Sequence, residues 1–141
     1  MKKLNMLAIV GSLLILLPLV ALQSTAAMDT QAIVDCDAKY FNSREKDPSK
    51  NNLDKRDKIR WHVFANTKGT EITFYFEKGS PFDKNVPSSF KVTVGDDPPR
   101  PKKEVLKDAA EKEYKYSIIC TLPNGTEQWR LDPIIEIPRK P

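Results

Sequence analysis

Apolar and polar residues alternate over several short stretches of this chain, which is the period-two pattern of half-buried β-strands. The clearest stretch is 59–66, where Ile59, Trp61 and Val63 share one face. A second stretch, 71–77, follows after a short segment that contains a glycine. Two such stretches in close succession predict a β-hairpin, in which one face of each strand covers a common core.

Weaker alternation marks four further strand candidates, at 31–41, 90–94, 114–122 and 132–138. Between them, the charged and polar segment 42–58 is expected to be a solvated connection with room for one helical turn. The stretch 95–101 holds three prolines and predicts a surface loop, because proline cannot donate a hydrogen bond to a sheet. Residues 104–112 predict a short helix, with a loose strand around Val105 as the alternative. Asn124 and Gly125 predict a turn.

The first 27 residues have the layout of a signal peptide. Two lysines give a positive start, a charge-free apolar run covers 6–22, and small residues follow at 24–27. The run has 17 residues, fewer than the roughly 20 that a membrane-spanning helix needs, and an uncleaved anchor is the alternative. We expect cleavage after Ala27, with Ala26 as the second candidate.

Cleavage at Ala27 leaves residues 28–141 as a single domain that is secreted or periplasmic. The full chain has a formal net charge of +4, but two of its basic residues lie in the signal peptide, so the mature domain is close to neutral. A near-neutral domain lacks the concentrated basic stripe of a nucleic-acid-binding protein. We therefore expect no nucleic-acid partner, and no membrane contact beyond the signal peptide.

The chain has two cysteines, Cys36 and Cys120, and both lie in the predicted mature domain. Each falls on the apolar face of its strand, and exported domains occupy compartments in which disulfides persist. A disulfide between Cys36 and Cys120 is therefore predicted, with two buried free thiols as the alternative. In the chain-entropy model, a bridge that closes so long a loop stabilises the fold by roughly 4 to 5 kcal/mol.

Side chains that could carry chemistry are few. His62 is the only histidine; it stands beside Arg60 and has no acid or nucleophile partner in the pattern, so we interpret it as a surface or strand-packing residue. Asp35 and Asp37 share one strand face, but two carboxylates fall short of the six to eight oxygens that calcium takes, and a solvated face is expected. Trp129 is expected to pack in the core. The sequence thus predicts a non-enzymatic protein with no catalytic residue, no cofactor and no metal site.

Several segments together resemble the cupredoxin fold. They are 61–66, the Ser80-Pro81-Phe82 loop, the strand 90–95, the tyrosine-rich strand 114–120 and the apolar last strand that follows Asp132-Pro133. More narrowly, the chain resembles small exported cupredoxin-like proteins of unknown function over about residues 55–138. The resemblance implies an all-β, antiparallel Greek-key β-sandwich of about seven strands.

Blue-copper chemistry does not follow from the resemblance, because the ligands are missing. A type 1 copper site uses two histidines and a cysteine thiolate, usually with a methionine. The segment after Cys120 holds neither histidine nor methionine, and all three methionines lie at or before the predicted mature start. The resemblance therefore implies an exported, copper-free, non-enzymatic module that binds an unidentified protein or small ligand through its loops. A small exported enzyme inhibitor and a metal carrier with an unconventional site from His62, Cys36 or Cys120 are the alternatives.

Overall fold

The structure, a computed structural model, describes residues 26–43 and 50–139. Within this part of the chain the fold is all β, with 11 strands and no helix, which confirms the predicted class. The strands in chain order are β1 (Asp29–Asp35), β2 (Tyr40–Asn42), β3 (Lys50–Asn52), β4 (Lys58–Phe64), β5 (Glu71–Phe76), β6 (Ser88–Thr93), β7 (Lys102–Glu104), β8 (Glu113–Lys115), β9 (Ser117–Thr121), β10 (Glu127–Leu131) and β11 (Ile134–Glu136).

The described strands form two four-stranded sheets and one three-stranded sheet. The first sheet has the order β2-β1-β4-β7, the second β10-β9-β5-β6, and the third β3-β11-β8. Most strand pairs are antiparallel, but β1 pairs with β4 in parallel, and so does β3 with β11. The expectation of a purely antiparallel sandwich is wrong at these two pairs. A parallel pair needs a long connection rather than a tight turn, and the chain between β1 and β4 is long enough to provide one.

The two strongest strand patterns do not form the predicted hairpin. β4 lies in the first sheet between β1 and β7, whereas β5 lies in the second sheet between β9 and β6. The hairpin prediction is wrong because alternation fixes which face of a strand is buried, not which strand it pairs with. The predicted common core is confirmed, since the rings of Trp61 in β4 and Phe74 in β5 have centroids 5.0 Å apart.

Trp61 is fully buried among aromatic rings of the core. Its ring contacts those of Phe74, Phe82, Phe90 and Tyr116, at centroid distances from 5.0 to 6.4 Å. Tilted and edge-on pairs of this kind add to the stabilisation from burial. Fully buried apolar side chains from the surrounding strands complete the core: Ala32, Val34, Ile59, Val63, Ile72, Phe76, Ile118 and Ile135.

The predicted strand 31–41 is divided by a tight turn. β1 ends at Asp35, and the chain reverses so that β2 pairs with β1 in antiparallel orientation. Lys39 closes the turn in the left-handed backbone region, with φ of 52°. The reversal accounts for part of the difference between the seven predicted strands and the 11 found.

The predicted strand 114–122 is also divided, between two sheets. β8 pairs with β11, whereas β9 pairs with β5 and β10. Tyr116 lies between the two strands, and its backbone N–H donates to the carbonyl of Pro133 at 3.1 Å. The predicted alternation is confirmed, because Tyr116, Ile118 and Cys120 are all buried.

The polar segment 42–58 is more structured than predicted. Residues 44–49 lie outside the described residues, but the part that follows contains β3. Asn51, Leu53 and Asp57 are buried there. The composition of the segment indicated solvent exposure and gave no sign that two of its polar side chains are covered.

Residues 104–112 contain no helix. β7 ends at Glu104, and the next backbone N–H, of Val105, donates to the carbonyl of Asp57 at 2.8 Å. Val105 itself is buried. The extended alternative around Val105 is therefore the one found.

The proline-rich stretch 95–101 is a loop, as predicted, and it also lies along β4. The backbone N–H groups of Trp61 and Val63 donate to the carbonyls of Pro101 and Pro99, at 3.0 and 3.2 Å. Proline keeps its carbonyl acceptor but has no N–H donor. The loop therefore accepts hydrogen bonds from the backbone N–H groups of β4, although it is not a regular strand itself.

The predicted signal peptide lies outside the described residues, apart from Ala26 and Ala27. Both alanines are exposed, and neither belongs to a strand. Nothing in the described part of the chain is a helix with the length and apolar character needed to cross a membrane.

Candidate functional site

A disulfide joins the two four-stranded sheets. The sulfur atoms of Cys36 and Cys120 are 2.03 Å apart, and both residues are fully buried. Cys36 follows directly after β1 in the first sheet, and Cys120 lies in β9 of the second. The predicted disulfide is thus confirmed, and the alternative of two free thiols is wrong.

Beside the disulfide, one residue from each of three neighbouring strands lines up across the first sheet. The N–H of Cys36 donates to the carbonyl of Phe64, the last residue of β4, at 3.0 Å. Asp35 of β1 pairs with Phe64 on one side and with Tyr40 of β2 on the other. We call Tyr40, Asp35 and Phe64 the aromatic row.

The aromatic row faces away from the core. Directly paired residues on neighbouring strands project to the same side of a sheet, and Asp35 alternates with the buried Val34 and Cys36. Tyr40 is 46% exposed and Phe64 is 40% exposed. Neighbouring strands are about 4.8 Å apart, so the two aromatic residues stand on either side of Asp35, roughly 10 Å from each other.

Large apolar side chains with this much exposure are uncommon in the described part of the chain. There are four of them, Met28, Tyr40, Phe64 and Val86, and two lie in the aromatic row. Scattered exposed apolar residues are normal, and contiguous apolar patches mark interaction sites. Here the two aromatic residues flank a carboxylate rather than forming a contiguous patch.

Hydrogen bonds hold the two carboxylates of this region in place. Asp35 Oδ1 accepts from the backbone N–H groups of Asp37 and Ala38, at 3.1 and 2.9 Å. The Asp37 carboxylate accepts from the backbone N–H of Asn66 and from the side-chain amide of Gln128. Both aspartates are half-buried. Among residues 26–43 and 50–139, neither carboxylate forms an ion pair with a lysine or arginine.

A cleft of about 340 Å³ opens at the Asp35 and Phe64 end of the aromatic row, and Tyr40 does not line it. The residues that set its character are Asp35, Asp37, Phe64, Asn66, Val94 and Asp96. Lys68 forms an ion pair with Asp96, at 2.8 Å, so one of the three acidic charges is compensated. An aromatic ring beside unpaired carboxylates attracts a positively charged ligand group, through the face of the ring and through the field of the two charges.

The other residues singled out from the sequence lie outside the aromatic row. His62 is half-buried in β4, where it pairs in register with Ile33 of β1. Trp129 packs against the core from β10, as predicted. Asn124 Oδ1 accepts from the N–H of Thr126 at 2.9 Å within the predicted turn.

The phenol of Tyr116 is a structural group rather than an acid or base. Burial raises the pKa of Tyr116 well above its ordinary value of 10.0, and the hydrogen bond from Trp61 only partly opposes this. A phenol with a raised pKa stays neutral throughout the physiological range. Its chemistry is therefore that of a hydrogen-bond partner in the core.

Sequence reasoning did not single out Tyr40 and Phe64. The outward direction of Phe64 follows from its position next to the inward-facing Val63. The alternation of apolar and polar residues therefore predicts this direction. A continuous strand over 31–41 places Tyr40 on the same face as Val34 and Cys36, and the turn that ends β1 reverses this direction. Only the register of β2 brings Tyr40 beside Asp35.

Similarity to known proteins does not supply a function. The chain matches no protein-family model, and no curated protein matches its sequence. Within the two described ranges, no three His, Cys, Asp or Glu side chains are grouped so as to hold a metal ion.

Proposed function

We propose that this protein is an exported, copper-free, non-enzymatic binding module that recognises a positively charged group of a protein or small ligand at the aromatic row. The observation that carries the proposal is the placement of Asp35 between the exposed residues Tyr40 and Phe64. We further propose that the two four-stranded sheets form a Greek-key sandwich of the cupredoxin kind, as the sequence resemblance implies. Export is supported by the leader pattern of residues 1–27 and by the disulfide.

The chemistry of the row suits an ammonium or guanidinium group. The face of an aromatic ring carries negative electrostatic potential, and a cation over an exposed ring gains about 0.5–1 kcal/mol. In the proposed complex the cation lies over Asp35 and gains from the carboxylate and from each flanking ring that it contacts. A neutral ligand of the same shape gains only the apolar contact.

The row is also held in a fixed arrangement before any ligand arrives. The disulfide at Cys36 anchors the end of β1, and two backbone N–H groups hold the Asp35 carboxylate. A binding surface that is already ordered loses less conformational entropy on binding. Binding residues of such modules usually lie on the loops at the end of a rigid sandwich.

Of the alternatives raised by the sequence, the metal carrier loses its sulfur ligands in this form of the protein. Both sulfur atoms are shared in the disulfide, so neither is present as a thiolate. An enzyme inhibitor that inserts the turn after Cys36 into a partner would use the same end of the sandwich. It differs from the proposal in requiring a protein partner rather than a cation.

The test is a titration of the ¹⁵N-labelled protein with tetramethylammonium chloride, followed by NMR. We expect saturable shifts at the end of β1, at the turn 36–39 and around Phe64, with a dissociation constant on the order of 1 to 10 mM. Sodium chloride at matched ionic strength is the salt control. The absence of saturable shifts at the aromatic row would contradict the proposal.

Variants make this test specific. Phe64→Ala and Tyr40→Ala each remove one ring, and each is expected to weaken binding about threefold to fivefold. Val86→Ala is the matched control, because Val86 is also a large exposed apolar residue but lies outside the row. Equal binding by Phe64→Ala and Val86→Ala would show that the ring of Phe64 is not part of the site.

A further inference from the structure

Asp57 is a buried carboxylate that has only backbone partners. Its exposure is 8%, and it lies in the short connection between β3 and β4. Its Oδ1 accepts from the backbone N–H of Met28 at 2.9 Å, and its Oδ2 accepts from that of Asp54 at 2.8 Å. In the described part of the chain, no lysine or arginine forms an ion pair with it. A buried carboxylate is costly unless an opposite charge accompanies it.

Met28 is fixed against Asp57 by the start of the first sheet. The carbonyl of Met28 accepts from the N–H of Lys58 at 2.8 Å, and the next residue, Asp29, begins the parallel pairing of β1 with β4. Met28 as a residue is 65% exposed, and the two contacts that fix it are made by its backbone N–H and carbonyl. Ala27, immediately before it, is exposed and belongs to no strand.

The bond between Ala27 and Met28 is also where the sequence predicts cleavage of the leader. Hydrolysis there adds one water molecule, which leaves a carboxylate on Ala27 and an amino group on Met28. An α-amino group has a pKa of about 7.7 to 8.0 and is mostly protonated at neutral pH. The same nitrogen that donates to Asp57 as an amide would then carry a positive charge.

We propose that cleavage after Ala27 places the new α-ammonium group of Met28 on the Asp57 carboxylate and so completes a partly buried ion pair that only the processed chain can form. This inference rests on the export included in the proposed function. Cleavage after Ala26 would move the charge by one residue, about 3.8 Å along the chain, and would leave an amide facing Asp57. Processing at the Ala27–Met28 bond is thereby coupled to the stability of the mature fold.

The ion pair strengthens a contact that already exists. A hydrogen bond with an ionised partner is roughly twice as strong as a neutral one, and the added opposite charge compensates the buried Asp57 carboxylate. The expected gain is about tenfold in the folding equilibrium constant of the processed chain over a chain whose Met28 nitrogen remains an amide.

The first part of the test is the mass of the exported protein. The full precursor is expressed with its own leader in a bacterium with an oxidising periplasm, and the intact mass of the mature product is measured. The proposal predicts a product that begins at Met28. A mature protein that begins at Ala27, or one that keeps its leader, would overturn it.

The second part is the rate at which the α-amino group of the mature protein is acetylated at pH 7, where the lysine amines are far more fully protonated. An α-ammonium group held by Asp57 is expected to react about tenfold more slowly in the folded protein than in the same protein unfolded by denaturant. In the folded Asp57→Asn variant the rate is expected to return to nearly that of the unfolded chain.

Asp29→Asn is the matched control for this measurement. Asp29 is an aspartate next to Met28, but its carboxylate pairs with Lys102 at 2.6 Å rather than with the Met28 nitrogen. The variant is expected to keep the slow acetylation. Equal rates in folded and unfolded wild-type protein would overturn the proposal even if Asp57→Asn did not fold. Equal slowing in folded wild-type and Asp57→Asn proteins would also overturn it.

Tetramethylammonium binding at the aromatic row does not involve Asp57. A mature protein that binds the cation but reacts rapidly at Met28 would refute this inference alone. A protein with a protected amino terminus and no cation binding would refute the proposed function alone.

Discussion

The indole Nε1 of Trp61 donates a hydrogen bond to the hydroxyl of Tyr116, at 3.3 Å, inside the core. Trp61 belongs to the first sheet, and Tyr116 lies at the point where the chain passes from the third sheet to the second. One buried polar contact thus connects the first sheet to the residue that joins β8 of the third sheet to β9 of the second. A buried donor without an acceptor costs free energy, so the two side chains depend on each other.

Replacing Tyr116 by phenylalanine should test this dependence. The substitution keeps the ring that stacks on Phe76, with centroids 4.8 Å apart, but leaves the Trp61 N–H unpaired. We expect a loss of about 1–2 kcal/mol in the free energy of unfolding, measured by urea denaturation. Tyr75→Phe, at a half-buried position in β5, is the control and should change stability by less than about 0.5 kcal/mol. Equal effects of the two substitutions would contradict this role for the Tyr116 hydroxyl.

The disulfide should contribute strongly to stability. It joins residues 84 positions apart, and the chain-entropy model gives roughly 4 kcal/mol or more for a loop of that length. We expect the Cys36→Ala, Cys120→Ala double variant to lose about that much in denaturant unfolding. Alkylation of the folded wild-type protein without reductant should add no mass. Alkylation of both thiols under those conditions would contradict the disulfide.

The ion pair between Asp29 and Lys102 should give stability a defined pH dependence. The hydrogen bond from Lys102 lowers the pKa of Asp29 below its ordinary value of 3.8. A carboxylate with a lowered folded-state pKa stabilises the protein above its unfolded-state pKa, and this contribution is lost as the pH falls through the folded-state value. The difference in urea midpoint between wild type and Asp29→Asn should therefore be present at pH 6 and vanish toward pH 2. A difference that stays constant over that range would show that it has another cause.

Copper provides a separate test of the resemblance to cupredoxins. With one histidine in the whole chain and both sulfurs in a disulfide, Cu(II) cannot acquire two imidazoles and a thiolate. We expect no intense absorption at about 600 nm when the mature protein is titrated with Cu(II). An intense blue band that Cys120→Ser abolishes would contradict this expectation and would indicate an electron-transfer function.

The sequence predicts which side chains of a strand are buried better than it predicts which strands pair with each other. The alternation in β4 correctly placed Ile59, Trp61 and Val63 in the core, because one face of a strand is read locally. It wrongly paired β4 with β5, because the choice of partner depends on strands far away in the chain. The burial of Asp57 was equally hidden, since its partners, the backbone of Met28 and Asp54, leave no mark in composition.

In the candidate site, too, some positions follow from the local alternation and one depends on strand pairing. Asp35 and Asp37 could be found from the sequence as two carboxylates on one face, and the outward direction of Phe64 follows from its parity. The position of Tyr40 depends on a turn of four residues and on the register of a three-residue strand. Short turns and registers are set by the disulfide and the hydrogen bonds around them, which no pattern of hydropathy contains.

The most direct test of the central claim is the selectivity of the aromatic row for positive charge. Tetramethylammonium and tert-butyl alcohol have nearly the same shape, but only the first is charged, so the ratio of their dissociation constants isolates the electrostatic part of binding. We predict that wild-type protein binds the cation at least about tenfold more tightly, and that Asp35→Asn reduces this ratio to about threefold or less. Equal affinity of the wild-type protein for the two compounds would contradict the claim that the row recognises a cation.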